Sequence, residues 1–202
     1  MRLALYGGRF DPLHIGHLLL AETARVRLEL DQIWFIPSKA PPHKTTTAPA
    51  EARFEMALLS TADNPHFRVS RLELDRAGTS YTVDTVETVK EQHPDTELFY
   101  LTGTDAYADI ATWERARELV AQVQMVALAR PGAGLDGLES YFLDHVKILE
   151  TPLFEVSSTD IRQRLKAGES VRYLLSNSVA AYIAKHRLYQ KGQKSPPLTR
   201  FT

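Results

Sequence analysis

The sequence predicts an α/β fold built on a mostly parallel sheet. Strand-like and helix-like stretches alternate along most of the chain, the pattern of successive strand–helix–strand units. A pair of glycines closes the first strand shortly before the first helix. No internal repeat, low-complexity tract or linker breaks the alternation. Residues 1–189 therefore read as one domain, with a C-terminal helical part over 157–189 and a loose tail over 190–202.

The short apolar run Leu3–Tyr6 reads as a buried first strand, and the apolar spacing of Ile15–Leu30 predicts a helix. Ile33–Ile36 is a second buried strand. It runs into Pro37–Thr47, whose three prolines and polar residues predict an extended loop. That loop carries Lys39, His43 and Lys44 from the end of a strand, where open α/β sheets bind ligands. Pro49 starts a helix over Ala50–Ala62, with Phe54 and Leu58 facing inward. Phe67–Leu74 alternates loosely, as a half-exposed strand would. After the turn Ala77–Ser80, Ser80 is a fair N-cap for a helix over Tyr81–Gln92 that turns Val83, Val86 and Val89 to one side. Leu98–Leu101 is a fourth strand, followed by Thr102-Gly103-Thr104-Asp105, and Glu114–Val120 looks helical. Val126–Ala129 and Val146–Leu149 complete six strands. Ser157 or Ser158 caps a last short helix that closes at Gly168.

Charge and composition narrow the class. The 202 residues include 24 basic and 25 acidic side chains, a net charge of −1. Broad nucleic-acid binding usually shows a basic excess, so it is not expected. With no cysteine there are no disulfides and no thiolate metal sites, which fits a reducing compartment. No apolar run approaches the ~20 residues of a membrane span, and the N-terminus lacks a signal-peptide layout. A cytoplasmic enzyme is the expectation.

The chemistry centres on Gly7-Gly8-Arg9-Phe10-Asp11-Pro12-Leu13-His14-Ile15-Gly16-His17. Glycines at a strand end admit a phosphate to bare backbone N–H groups. The helix that follows adds unpaired donors and a partial positive charge. His14 and His17, three residues apart, share one face of its first turn. Together these features predict a polyphosphate site without a Walker lysine, and the run matches neither the P-loop nor the G-x-G-x-x-G pattern. Elsewhere the residues leave two readings open. Asp105 is a helix cap or part of a nucleotide-binding loop. Trp113 is core or interface. Ser80 and Thr82 belong to a helix start that could hold a carboxylate. Arg162 has the planar fork suited to phosphate.

The glycine–histidine run resembles the bacterial nicotinate-nucleotide adenylyltransferase family of the H-x-G-H superfamily. That family typically reads G-G-T-F-D-P-x-H-x-G-H, and Arg9 stands here in place of the threonine. Further segments share the resemblance: Pro41-Pro42-His43-Lys44, the S-Y-T-x-D-T of Ser80–Thr85, the G-x-D of Gly103–Asp105, Trp113, and Val156-Ser157-Ser158-Thr159-Asp160-Ile161-Arg162. It spans about Arg2 to Tyr189 and is weakest over 131–150. It implies a Rossmann-like sheet with helices on both faces and a small C-terminal helical segment.

It also implies transfer of AMP from ATP to nicotinate mononucleotide, with His14, His17, Lys44 and Arg162 as the catalytic set. ATP would meet Gly7, Gly8, Phe10 and both histidines at one end, and Gly103, Asp105, Ser158, Thr159 and Arg162 at the other. Nicotinate mononucleotide would meet Lys44, Ser80, Tyr81, Thr82 and Trp113. The nucleophile is a phosphate monoester, largely dianionic near neutral pH because its second pKa is about 6, so no side chain need deprotonate it. Mg²⁺ is expected to be shared by phosphates and water, so no protein metal ligand is assigned. ATP and nicotinate mononucleotide are the expected partners, with no nucleic acid and no membrane, and homo-oligomerisation is left open.

Three alternatives stand beside this. The phosphopantetheine adenylyltransferase shares the first motif but lacks the S-Y-T and tryptophan pairing. A class I aminoacyl-tRNA synthetase fragment would need a K-M-S-K-S partner, absent here. Against a non-catalytic nucleotide sensor stands the retention of both histidines and Arg162.

Overall fold

The computed structural model describes residues 1–39, 46–129, 135, 137–152 and 155–190. Six strands form one sheet: β1 (Arg2–Gly8), β2 (Gln32–Pro37), β3 (Phe67–Val69), β4 (Glu97–Gly103), β5 (Gln124–Ala129) and β6 (Val146–Glu150). Their order is β3-β2-β1-β4-β5-β6, and every neighbouring pair is parallel. Parallel neighbours need crossovers, and helices supply them. These are α1 (Ile15–Arg27), α2 (Ala50–Thr61), α3 (Leu72–Asp75), α4 (Thr82–Gln92), α5 (Thr104–Tyr107), α6 (Ala116–Gln122) and α7 (Ser140–Asp144), with a 3-10 turn over Ile110–Thr112. Two more, α8 (Ser158–Ala167) and α9 (Asn177–His186), follow the last strand.

Period-two alternation divides the core. Along β1, Leu3 and Leu5 join the cluster under Val83, Val86 and Val89 of α4 and Leu119 and Val120 of α6. Ala4 and Tyr6 join the opposite cluster, under Ala21 and Ala24 of α1 and Ala57 of α2. Both faces of the sheet are thus covered, as an all-parallel sheet requires. A third cluster joins Ala48, Ala52 and Met56 to Ile161 of α8, Val179 and Ile183 of α9, and Tyr189. So the C-terminal segment packs on the side of α2 turned away from the sheet.

Several expected elements are corrected. β3 stops at Val69, and Leu72–Asp75 is a helical turn. A strand would alternate Glu73 outward between Leu72 and Leu74, yet Glu73 is buried. On α2, Leu58 is 38% exposed rather than inward. Phe54 is inward as expected, alongside Ala52, Arg53, Met56, Ala57, Ser60 and Thr61, with the Arg53 side chain pointing inside. α1 ends at Arg27, and Glu29 beyond it takes a left-handed conformation. α6 begins two residues later than expected. Arg172–Leu175 forms a turn, and α9 ends at His186.

The helices after β1 and β4 lie on opposite faces, so the crevice between these two strands is the topological switch point where such sheets bind ligands. Gly7 lies at this point for a packing reason as well as a ligand reason. A Cβ on Gly7 would collide with the Tyr100 hydroxyl on β4, and one on Gly8 would press on the Phe10 ring at 3.0 Å. Gly7→Ala should therefore destabilise the chain by about 1–3 kcal/mol, the usual range for overpacking. Tyr100→Phe in the same chain should recover much of the loss. Urea midpoints of the two variants check this; a Gly7→Ala chain as stable as the parent would contradict the close approach.

Candidate active site

The loop from Gly8 to His14 is held by two buried charges. Arg53 is fully buried and donates to the carbonyls of Arg9 and Ser38, both at 2.6 Å, and of Ala48 at 3.3 Å. Asp11, also buried, accepts from the backbone N–H of Thr47 at 2.6 Å and of Ala48 at 3.1 Å, and from the Tyr189 hydroxyl at 2.7 Å. Burial pulls the Arg53 pKa down, and the nearby Asp11 charge pushes it back up. The Tyr189 phenol is driven well above its ordinary value by burial first and by Asp11 second. Phe10 sits in the left-handed region at φ 46°, a strained place for an aromatic residue. Its ring is fixed against Tyr6, Phe35 and His17, with centroids 5.6, 5.8 and 5.2 Å away.

His14 is the N-cap of α1 and His17 the third helical residue. Their rings lie 3.8 Å apart, centroid to centroid. The His14 backbone N–H donates to His17 Nδ1 at 3.3 Å. With Nδ1 accepting, the neutral ring carries its proton on Nε2, which makes that nitrogen a donor suited to an anion.

The other end of the chain closes onto this loop. Ser157 caps α8, its hydroxyl accepting from the Asp160 N–H, and Gly168 ends that helix at φ 78°. Ser158 donates to the Pro12 carbonyl at 3.0 Å. Arg162 donates to the Asp11 carbonyl at 2.8 Å and to the Thr159 hydroxyl at 3.1 Å. These contacts use part of the guanidinium's donor set and place it beside the glycine–histidine run. Gly7, Gly8, Phe10, His14, His17, Ser158, Thr159 and Arg162 thus belong to one neighbourhood.

Gly103 ends β4 and is the N-cap of α5, with open space where a Cβ would be. Asp105 follows, exposed, in the first turn, so it is not the cap. On the other side of β4, Trp113 is half-buried and meets the Tyr100 ring edge-on at 6.2 Å. It also lines a cavity of about 320 Å³ with Arg115, Arg117, Glu118, Glu139 and Phe142. None of the expected phosphate contacts lines that cavity, so it is not the phosphate site.

The expected Ser80 cap is not formed. Tyr81 is the N-cap of α4, and no side chain caps the helix. Ser80 is buried, and its hydroxyl makes no well-formed hydrogen bond among the described residues, though it faces Glu73 closely enough to lower that carboxyl's pKa. Thr82 is a first-turn residue whose hydroxyl lies 3.4 Å from the Tyr100 hydroxyl. Lys44 lies outside the described residues. Sequence reasoning missed Arg53, Glu73, Tyr189 and Arg115. Asp11 stands out in the sequence only within its motif, and no spacing marks any of the other four as buried or bridging.

A parallel sheet with a glycine–histidine loop at its switch point and an arginine folded back onto that loop defines a nucleotidyltransferase. A family model described as cytidylyltransferase-like matches residues 5–164. The chain is 49% identical over 194 residues to a "probable nicotinate-nucleotide adenylyltransferase" of Thermus thermophilus, covering 94% of this chain and all of that one. It is 42% identical over 193 residues to the protein of the same name from Clavibacter michiganensis, covering 96% of each. The fold matches the solved Plasmodium falciparum nicotinic acid mononucleotide adenylyltransferase complexed with NaAD, with a TM-score of 0.76 at 20% identity, over 93% of this chain and 97% of that one. The chain belongs to the nicotinate-nucleotide adenylyltransferase family.

Glu73 gives this neighbourhood a pH signature. Burial raises its pKa above the ordinary 4.5, against the opposing hydrogen bond from Thr85 at 3.0 Å. A carboxyl whose folded pKa is raised contributes stability below its unfolded pKa and loses it as pH rises through the folded one. Glu73→Gln should therefore gain stability relative to the parent as pH climbs from about 4 towards 7. Denaturation midpoints across that range check it, and a difference that does not change with pH would contradict a burial-raised Glu73.

Proposed function

We propose that the chain transfers AMP from ATP to nicotinate mononucleotide, giving nicotinate adenine dinucleotide and pyrophosphate. The observation that carries this reading is the meeting of the chain's two ends, with Ser158 and Arg162 bonded to the carbonyls of Pro12 and Asp11 next to His14 and His17. An oxygen of the mononucleotide phosphate attacks the α-phosphorus of ATP. The bond from that phosphorus to the bridging oxygen breaks, and its electrons leave with pyrophosphate. The attacking oxygen is already ionised, so the protein's task is positioning and charge stabilisation.

His17, with Nε2 as donor, serves the charge that grows on the transferring phosphoryl group, alongside His14, Arg162 and Lys44. Gly7 and Gly8 let the phosphates approach backbone. Gly103, Asp105, Ser158 and Thr159 hold the rest of ATP. On the pyridine side, Trp113 stacks on the ring, and the uncapped start of α4 at Ser80, Tyr81 and Thr82 receives the carboxylate. Mg²⁺, when bound, would be held by the ATP phosphates and water and would neutralise phosphate charge. Asp11 already accepts from three donors, so no protein ligand is assigned to the ion. No described helix is long and apolar enough to cross a membrane, and a cytoplasmic place suits these substrates.

Pyrophosphate release from ATP and nicotinate mononucleotide tests the reading against a nucleotide sensor, which would bind and not turn over. Within that assay His17→Ala should lower kcat ~10²–10³-fold, as removal of a transition-state donor does, with a much smaller change in KM for ATP. A folded variant with unchanged kcat would remove His17 from the mechanism.

A further inference from the structure

No lysine or arginine occurs in the segment Thr79–Asp84 that opens α4, yet the fold brings one there from α6. Arg115 stands two residues after Trp113 and serves as the N-cap of α6 in the left-handed conformation, φ 47°, ψ 43°. Its guanidinium donates to both Glu87 carboxylate oxygens, at 2.8 and 2.9 Å, to Asp84 Oδ1 at 2.7 Å and to Glu118 at 3.2 Å. Asp84 is in the first turn of α4, and Glu87 follows one turn along on the same side. The other arginine at α4, Arg76, bonds only neutral groups there: the Thr85 and Thr88 hydroxyls and the Asp84 carbonyl.

We infer that Arg115 is a specificity-determining positioning residue for the pyridine nucleotide. It fixes the Trp113 turn to the start of α4, and it neutralises the two carboxylates that would repel the carboxylate of the ring.

Two observations support this. Ion pairs as exposed as these usually contribute little to stability, so a four-bond cluster is better explained by position and charge. Glu87 holds the Arg115 pKa above its ordinary value, with Asp84 next, and Arg115 in turn lowers that of Glu87. An anion bound at a helix N-terminus gains from the dipole and from backbone donors. A bare Asp84 in the same turn would offset that gain. Trp113 and the α4 start come from segments about thirty residues apart, and the same guanidinium joins them.

The inference rests on the functional reading above, and its test separates the two. KM for nicotinate mononucleotide and for ATP are measured on the parent, Arg115→Ala, and Arg115→Ala with Asp84→Asn. Arg115→Ala should raise KM for the mononucleotide roughly 5–20-fold, below the ~150-fold that complete loss of ring stacking could bring, and leave KM for ATP within about 2-fold. Removing the Asp84 charge in that background should recover roughly 2–5-fold, the size of a charge effect at a helix terminus. If Arg115→Ala does not fold, Arg115→Lys keeps the charge and loses the fork, and should still raise KM for the mononucleotide alone. A parent that turns over with KM unchanged in the folded variants overturns this inference only, as does an equal rise in KM for both substrates. A parent that neither binds nor turns over nicotinate mononucleotide overturns the functional reading and this inference with it.

Discussion

A buried carboxylate organises this molecule. Asp11 sits in the first loop, away from water, and accepts hydrogen bonds from Thr47, Ala48 and Tyr189, with the buried Arg53 charge nearby. A buried charge is tolerated only when it is paired and its lone pairs are satisfied. The requirement is therefore met jointly by the loop before α2, by α2 itself and by the far C-terminal end of the described chain. Removing one partner of such a set typically costs about 3–5 kcal/mol, because the other charge is left unpaired. The loop that presents His14 and His17 is consequently fixed by residues that have no contact with substrate in the proposed reaction.

From that constraint the site follows. β1 ends at the switch point of the sheet, so the Asp11-held loop begins at the place where helices diverge to opposite faces. The loop delivers its histidines to the first turn of α1, where the His14 N–H selects the His17 tautomer. α8 then closes over the same loop through Ser158 and Arg162, which is why signatures about 150 residues apart in sequence meet at one place. The pyridine side proposed above is built separately, across β4, by Trp113, Tyr100 and the start of α4. Two subsites on either side of one strand boundary suit a reaction that joins two nucleotides.

Much of this was legible from residue patterns. Short apolar blocks located β1, β2, β4 and β5, because strands buried on both faces read that way, and the half-exposed edge strands β3 and β6 showed only looser apolar runs. The ends of α8 were legible because capping is local: Ser157 accepts from Asp160, and Gly168 takes a left-handed conformation. Where the expectations went wrong, a tertiary contact outweighed a local signal. Ser80 has the right chemistry for a cap but is drawn under the chain towards Glu73. Leu58 has the right spacing for the core, but Arg53 points inward from α2, held by the carbonyls of Arg9, Ser38 and Ala48. Arg115 was invisible as a neighbour of Asp84 because 31 residues separate them.

The central claim is that the site is built for an acid mononucleotide, with the carboxylate at the uncapped start of α4. An amide there would point its NH₂ donor at backbone donors. Charge-assisted hydrogen bonds are worth about 1.5–3 kcal/mol, and an unpaired donor adds about 1–3 more, so the acid should be preferred by at least ~100-fold. The direct measurement is kcat/KM for nicotinate mononucleotide and for its nicotinamide counterpart, at identical salt and magnesium. A ratio of roughly 100 or more in favour of the acid is the expected result. Comparable values would show an enzyme indifferent to the charge and contradict the placement of the carboxylate.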